Sequence, residues 1–207
     1  VVVAAGMASR VALAAAGAGR TVQLVGKTGD DPTADSVVLD LARGGVGHVA
    51  LLRDPARATP LEMAPADDEP VDPEATDDDA VAEGDAAAVP GPGPALESGD
   101  VDLGLRYLTD FAVVVLAEPV GSDTVAIVAE ASRWAGARMI LVVPAGTQIP
   151  DGLPSDVVAF EAPAADPDGA FAALVGRFAA DLDAGVEPGE AFRSSVATDG
   201  WTGATAD

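Results

Sequence analysis

Two short stretches constrain this chain more than any other feature. Phe111-Ala112-Val113-Val114-Val115-Leu116-Ala117 and Arg138-Met139-Ile140-Leu141-Val142-Val143 are apolar at nearly every position. A strand with one wetted face alternates apolar and polar residues. A run without alternation must be covered on both faces, which is the condition of a strand inside a parallel sheet. Between the two runs, Ser122 reads as a helix cap, residues 123–135 as the helix and Gly136 as its stop. Parallel neighbours need such a crossover, because a tight turn cannot join them. Residues 157–160 predict a third, shorter strand. Asp166-Pro167 opens another helix, in which Phe171, Leu174, Val175, Phe178 and Leu182 recur at helical spacing before Gly185 stops it. Residues 187–196 predict a last helix, and a Gly-rich tail carries Trp201.

The first part of the chain reads the same way. Val1-Val2-Val3-Ala4-Ala5 has the pattern of the tail of a strand, and Gly6 of a turn. Residues 7–16 predict an Ala-rich helix that packs through Val11, Leu13 and Ala14 and ends at Gly17. Thr21-Val22-Gln23-Leu24-Val25-Gly26 predicts a strand and Lys27-Thr28-Gly29-Asp30 the turn after it. Asp31 is a good N-cap and Pro32 a good first helical residue. That helix buries Val37, Val38 and Leu41 and stops at Gly44-Gly45; residues 48–52 follow as a strand. The texture then changes. From 54 to 100 Pro, Asp, Glu, Gly and Ala dominate and periodicity fades, apart from short edge strands expected around 59–63. The division is residues 1–53 and 101–207 as two parts of one α/β domain, with 54–100 as an acidic linker or degenerate lid between them.

The charge narrows the function classes. There are 34 acidic residues against 11 basic, a net charge of −23, and Lys27 is the only lysine. Nucleic-acid binding needs cations to neutralise phosphates, and an anionic membrane surface needs them too, so both partners are excluded. Self-repulsion of this size destabilises a compact chain at low salt. Molar salt cuts the screening length to about 3 Å. Asp in excess of Glu, few lysines and many small residues fit a salt-rich cytoplasm; an acidic protein of a GC-rich mesophile is the other reading. Without cysteine there is no disulfide, thiolate nucleophile or thiolate metal ligand. Residues 1–19 are small and apolar, but no basic region precedes them and Arg10 interrupts them, so they do not read as a signal peptide. No apolar run is long enough to span a membrane. The chain starts at Val1 rather than Met, which leaves the N-terminus open.

The turn 166–171, Asp166-Pro167-Asp168-Gly169-Ala170-Phe171, leads into a helix N-terminus, where unpaired N–H groups hold anions. Here the turn itself carries two carboxylates, which repel a phosphate unless a cation intervenes. His48 has no second His with which to ligate a metal and reads as a surface or strand-end residue. Glu118 follows a buried strand, at the edge where parallel sheets bind ligands. Asp77-Asp78-Asp79 reads as solvated charge. No metal-ligand set emerges.

Three segments, in this order, resemble the ribokinase/PfkB carbohydrate kinase family. Ala5-Gly6-Met7-Ala8-Ser9-Arg10-Val11-Ala12 is similar to its Gly-Gly-x-x-x-Asn-x-Ala pattern. Leu24-Val25-Gly26-Lys27-Thr28-Gly29-Asp30-Asp31-Pro32 is similar to its Val-Gly-x-x-Gly-Asp-Asp segment. The turn 166–171 sits where the family has Gly-Ala-Gly-Asp-Ala-Phe. The resemblance implies a ribokinase-like three-layer α/β fold with a largely parallel sheet, truncated, with the acidic stretch in place of the lid. It implies ATP and Mg²⁺ as cofactors, if the chain is active, and transfer of phosphate to a sugar-like alcohol. It places Asp166, Gly169 and Ala170 at the anion and nucleotide site, Gly6 and Arg10 at the sugar site, and Asp168 as the nearest candidate for the catalytic base. The departures fall on the same residues. The family's catalytic Asp aligns with Gly169, its two glycines with Asp166 and Asp168, its first Gly with Ala5 and its sugar-binding Asn with Arg10. The opening strand and the metal-associated Asn-x-x-Glu motif have no counterpart.

Each site residue therefore carries two readings. Asp168 is a displaced base or a helix N-cap; Gly169 is part of an anion hole or a turn glycine. Arg10 is an anion ligand or an exposed helix arginine paired with a carboxylate. For the whole chain the readings are an ATP-dependent sugar kinase and a non-catalytic relative, with no cofactor, acting as a regulatory or binding subunit. A small sugar or nucleotide is the expected partner in either case, and a homodimer is left open.

Overall fold

The computed structural model describes residues 6–60, 93–108 and 110–199, with the side chains of the last two of these excepted. The strand read at residues 1–5, the edge strands read beyond residue 60, most of the 54–100 stretch and Trp201 lie outside the described residues. Within them the elements are α1 (Met7–Gly17), β1 (Val22–Gly29), α2 (Pro32–Arg43), β2 (Val46–Asp54), α3 (Ser98–Tyr107), β3 (Val113–Leu116), α4 (Ser122–Ala135), β4 (Arg138–Pro144), β5 (Val158–Ala162), α5 (Ala170–Asp183) and α6 (Pro188–Asp199). Every strand pairing is parallel, as the apolar runs require. The strands form two sheets, β1-β2 and β3-β4-β5.

β4 shows why the run 138–143 lacks alternation. Met139, Leu141 and Val143 point to one face and pack with Val101, Val125 and Val128 of α3 and α4. Ile140 and Val142 point to the other and pack with Val11, Phe171, Val175 and Phe178 of α1 and α5. Both faces are dry, so both sets are apolar. A third cluster joins Ala12 of α1 and Leu24 of β1 to Val37 and Leu41 of α2. The result is three layers: α1, α2, α5 and α6, then the strands, then α3 and α4. No helix among the described residues is long and apolar enough to cross a membrane.

Several local expectations are met and some are corrected. Asp31 caps α2, its carboxylate accepting the Ala34 N–H at 2.8 Å, and Pro32 is the first helical residue. Gly136 closes α4 in the left-handed region, at φ 66°. Ser122 is not the cap of α4: Gly121 is, and Ser122 already lies in the helix. α3 is a ten-residue helix, held at its start by reciprocal bonds between Glu97 and Asp100. α1 packs through Val11, Ala12 and Ala15, with Leu13 half-buried.

α1 and α5 cross at very close range. A Cβ built on Gly176 of α5 would stand 2.6 Å from the Val11 carbonyl oxygen and 2.6 Å from the Ala14 Cβ. Only glycine permits this approach. It brings the N-terminal parts of both helices to the same side of the molecule.

Candidate functional site

The candidate site lies where α1 and α5 begin, past the C-terminal ends of the strands. Gly6, at φ 102°, turns the chain into α1. Glu118, two residues after β3, accepts the Ala8 N–H at 3.1 Å. A Cβ on Gly6 would meet the Glu118 Oε1 at 2.6 Å, so the glycine and the carboxylate are mutually fitted. Glu118 is thus an anchor for the N-terminus of α1, favoured there by the helix dipole.

The second helix start is built in the same way from a different residue. Asp166-Pro167-Asp168-Gly169 forms a turn, and α5 begins only at Ala170. Gly169 donates its N–H to the Asp166 carbonyl at 3.2 Å and takes the left-handed conformation, φ 69°. This turn folds the Asp166 side chain back over the helix. Its Oδ1 accepts the Phe171 N–H and its Oδ2 the Ala172 N–H, each at 3.0 Å. The expectation that Asp168 is the N-cap is therefore corrected: Asp166 takes the N–H groups, and exposed Asp168 makes no side-chain hydrogen bond among the described residues. Ala170 is half-buried as the first helical residue.

Arg10 joins the two helix starts. Its guanidinium donates to the Asp166 carbonyl oxygen at 2.8 Å, across 156 residues of sequence. It is half-buried rather than exposed, and this bond goes to a main-chain carbonyl. Gly6, Arg10, Asp166, Gly169 and Ala170 lie close together. Asp168 is at their edge, on the solvent side of the turn.

The segment ending β1 is tied down separately. Lys27 pairs with Asp100 at the start of α3, 2.9 Å apart. The Lys27 hydrogen bond holds the Asp100 carboxyl below the usual carboxylate range, and the Lys27 ammonium is held above its own. Thr59 closes the other side: its hydroxyl accepts the Gly29 N–H at 2.9 Å, and its own N–H goes to Asp31 at 2.7 Å. The N–H groups of Thr59 and Ala34 hold the Asp31 carboxyl below the usual carboxylate range. A group with a depressed folded pKa stabilises the fold above its unfolded value, about 3.9, and loses that contribution as pH falls through the folded one. Asp31→Ala is therefore expected to melt several degrees below the native chain at pH 7. The gap is expected to narrow as pH falls below about 4. A gap independent of pH would show that the Asp31 charge contributes nothing. His48, half-buried in β2, has its Nδ1 3.4 Å from the Val46 carbonyl and takes no part in the site.

The geometry can be tested against the groups that the resemblance implies. A phosphoryl group needs free N–H donors at the α5 terminus, and two of them already hold a carboxylate. A magnesium ion needs converging oxygen ligands. Among the described residues no three His, Cys, Asp or Glu side chains converge for a cation. A phosphate at the α5 terminus would have to compete with the Asp166 carboxylate for these two donors.

Comparison with solved structures places the architecture. The chain superposes on the protein Sa239 with a TM-score of 0.61 at 13% identity, over 98% of this chain and 84% of that one. It superposes on the tetrameric inhibited form of phosphofructokinase-2 from Escherichia coli with a TM-score of 0.53 at 15% identity, over 94% and 81%. The fold is ribokinase-like. A candidate phosphofructokinase from Staphylococcus aureus agrees, with a TM-score of 0.55 at 11% identity over 95% and 79%. In each case part of the longer ribokinase-like chain has no counterpart here. No family model and no curated protein sequence matches the chain.

Two contacts of the candidate site are not legible in the sequence. Glu118 was noted only by its place at the end of a strand; its partner Ala8 lies 110 residues away. Asp166 was grouped with Asp168, and a linear reading carries no signal for which of two carboxylates folds back.

Proposed function

We propose that this chain is a ribokinase-fold protein that has lost phosphoryl transfer and serves as a binding or regulatory subunit for a sugar-like small molecule. The observation that carries the reading is the Asp166 carboxylate on the Phe171 and Ala172 N–H groups. A carboxylate already bonded there repels an incoming phosphate and competes for its donors. Three further features point the same way. Gly169 stands at the position of the family's base, Asp168 faces solvent, and Glu118 covers the start of α1. The edge beyond the strand ends, around Gly6 and Arg10, is where parallel sheets bind small ligands.

Calorimetry in molar KCl with Mg²⁺ tests the reading. Neither ATP nor ADP is expected to bind, and a panel of sugars with ATP is expected to yield no phosphorylated product. Tight ATP binding with turnover, abolished in Asp168→Ala, would overturn it in favour of an ATP-dependent sugar kinase with Asp168 as base.

We assign the chain, by its charge, to a salt-rich cytoplasm. With −23 of net charge, its melting temperature is expected to rise steadily as KCl is raised from about 0.1 M to 2 M, as the Debye length falls from about 10 Å to below 3 Å. A melting temperature flat across that range would remove the salt-adaptation reading.

A further inference from the structure

The loop 145–157 carries the chain from the end of β4 to the start of β5. It holds a dipeptide that the candidate site does not use, Asp151-Gly152. Both residues are exposed, in a turn that follows Pro150. Gly152 takes φ 80°, and nothing lies within 4 Å of the place a Cβ would occupy. Among the described residues the Asp151 carboxyl makes no hydrogen bond or ion pair, and the Gly152 N–H has no acceptor. The turn is held instead by the Gly152 carbonyl, which accepts from the Arg133 guanidinium at 3.2 Å. An open carboxyl thus stands beside an open backbone N–H, and the second residue has no side chain to hinder their approach.

The chemistry of such a pair is intramolecular. The Gly152 nitrogen bonds to the side-chain carboxyl carbon of Asp151. The carboxyl, in its neutral form, gives up its hydroxyl, which leaves as water with the amide hydrogen. The product is a succinimide ring. Water then adds to one of the two ring carbonyls and breaks its bond to nitrogen. Cleavage at the side-chain carbonyl restores aspartate. Cleavage at the main-chain carbonyl leaves isoaspartate, in which the backbone runs through the former side chain. Water is the only co-reactant, lost in the first step and regained in the second, and nothing is oxidised or reduced. Groups on adjacent residues need no encounter, so the step requires no catalyst.

The same dipeptide at Asp168-Gly169 supplies an internal comparison. Asp168 is also exposed, but Gly169 donates its N–H to the Asp166 carbonyl at 3.2 Å. Arg10 and the Asp166 carboxylate tie that turn to both helices. The nitrogen there must be released before it can react, and its release is a local opening that breaks more than one bond. The third Asp-Gly pair, 199–200, has its glycine outside the described residues. The chain has no asparagine, so deamidation, which passes through the same ring, contributes nothing.

We propose that Asp151-Gly152 is a modification site at which the folded chain converts itself to isoaspartate, the substrate class of carboxyl methyltransferases that use S-adenosylmethionine. The conversion lengthens the main chain by a carbon beside the Gly152 carbonyl and so acts on the Arg133 bond in the last turn of α4. That end of α4 leads into the start of β4, at the opposite end of the strands from the two helix starts. The modification is therefore independent of the chemistry performed there.

The test is ageing of the full native chain at neutral pH in molar KCl. Samples are digested with a protease that cuts before aspartate and not before isoaspartate, so that missed cleavage at each position reads its conversion. Isoaspartate is expected to accumulate at 151 at least about fivefold faster than at 168, the factor contributed by one backbone hydrogen bond. In heavy-oxygen water the converted peptide is expected to carry the label, as hydrolysis of the ring requires. The aged chain, unlike the fresh one, is expected to accept labelled methyl groups from S-adenosylmethionine through an isoaspartyl methyltransferase. In urea, which opens the turn at 168, the two positions are expected to convert at similar rates. Equal rates at 151 and 168 in the folded chain would overturn the proposal, because the fold would not then select the position. Cleavage at 151 as complete in the aged chain as in the fresh one would overturn it too, as would an aged chain that accepts no methyl groups.

Discussion

Asp166→Ala is expected to turn the N-terminus of α5 into a phosphate site. In the native chain the Phe171 and Ala172 N–H groups hold the Asp166 carboxylate. Removing it leaves two backbone donors and the positive end of the helix dipole exposed at the head of a fourteen-residue helix. Two changes follow. Loss of an N-cap costs about 0.5–2 kcal/mol, so the variant is expected to unfold at a lower urea concentration than the native chain in phosphate-free buffer. Inorganic phosphate is then expected to recover stability in the variant, by up to about 2.7 kcal/mol at a hundred times its dissociation constant, and to leave the native chain unchanged. Calorimetric titration with phosphate and urea unfolding with and without it measure both. Equal responses in the two proteins would mean that the carboxylate does not occlude the terminus. No response in the variant would mean that the turn, rather than the carboxylate, closes it.

Gly176→Val is expected to produce the largest loss of stability among these substitutions, about 3 kcal/mol, at the upper end of what overpacking costs. The nearest neighbours of the added Cβ are the Val11 carbonyl oxygen and the Ala14 Cβ, both at 2.6 Å, and the Ala15 nitrogen at 3.0 Å. Two of these three are main-chain atoms, which no rotamer change can move. α1 must shift away from α5 as a unit, and the Arg10 bond to the Asp166 carbonyl goes with it. The substitution therefore links packing to the site: urea unfolding reads the stability loss, and the phosphate response of Gly176→Val/Asp166→Ala reads the damage to the terminus. Gly99→Ala in α3 is the control. No atom lies near its added Cβ, so it is expected to gain up to about 1 kcal/mol from helix propensity. A Gly176→Val variant as stable as the native chain would mean that the helices do not cross this closely.

Much of the architecture could be read from local pattern. Residues 139–143 have no polar position because they are sandwiched, and that was visible. Asp31-Pro32 and Gly136 fixed helix ends by the chemistry of a few adjacent atoms, and those ends stand where expected. α3 is faint in the sequence because its apolar residues are few and two glycines interrupt it; it is held by the Glu97 and Asp100 cap and by the close seat of Gly104 against Val25. The division into two sheets was not legible, since pairing between strands is decided in space. The candidate site was legible as a set of residues but not as an arrangement. That Asp166 rather than Asp168 caps α5 depends on the left-handed turn at Gly169, and that Glu118 meets Ala8 depends on the stacking of α1 over β3.

The bond between Arg10 and Asp166 has a consequence for biosynthesis. Asp166 emerges from the ribosome 156 residues after Arg10 of α1, and α5 follows it. At about 5–20 residues per second, the buried face of α1 waits roughly 8–30 s for α5 to be made. During that interval Val11, which packs with Phe171, Val175 and Phe178, is open to solvent and to other nascent chains. Slow translation through the intervening stretch would prolong that exposure, so the yield of folded protein should depend on elongation rate.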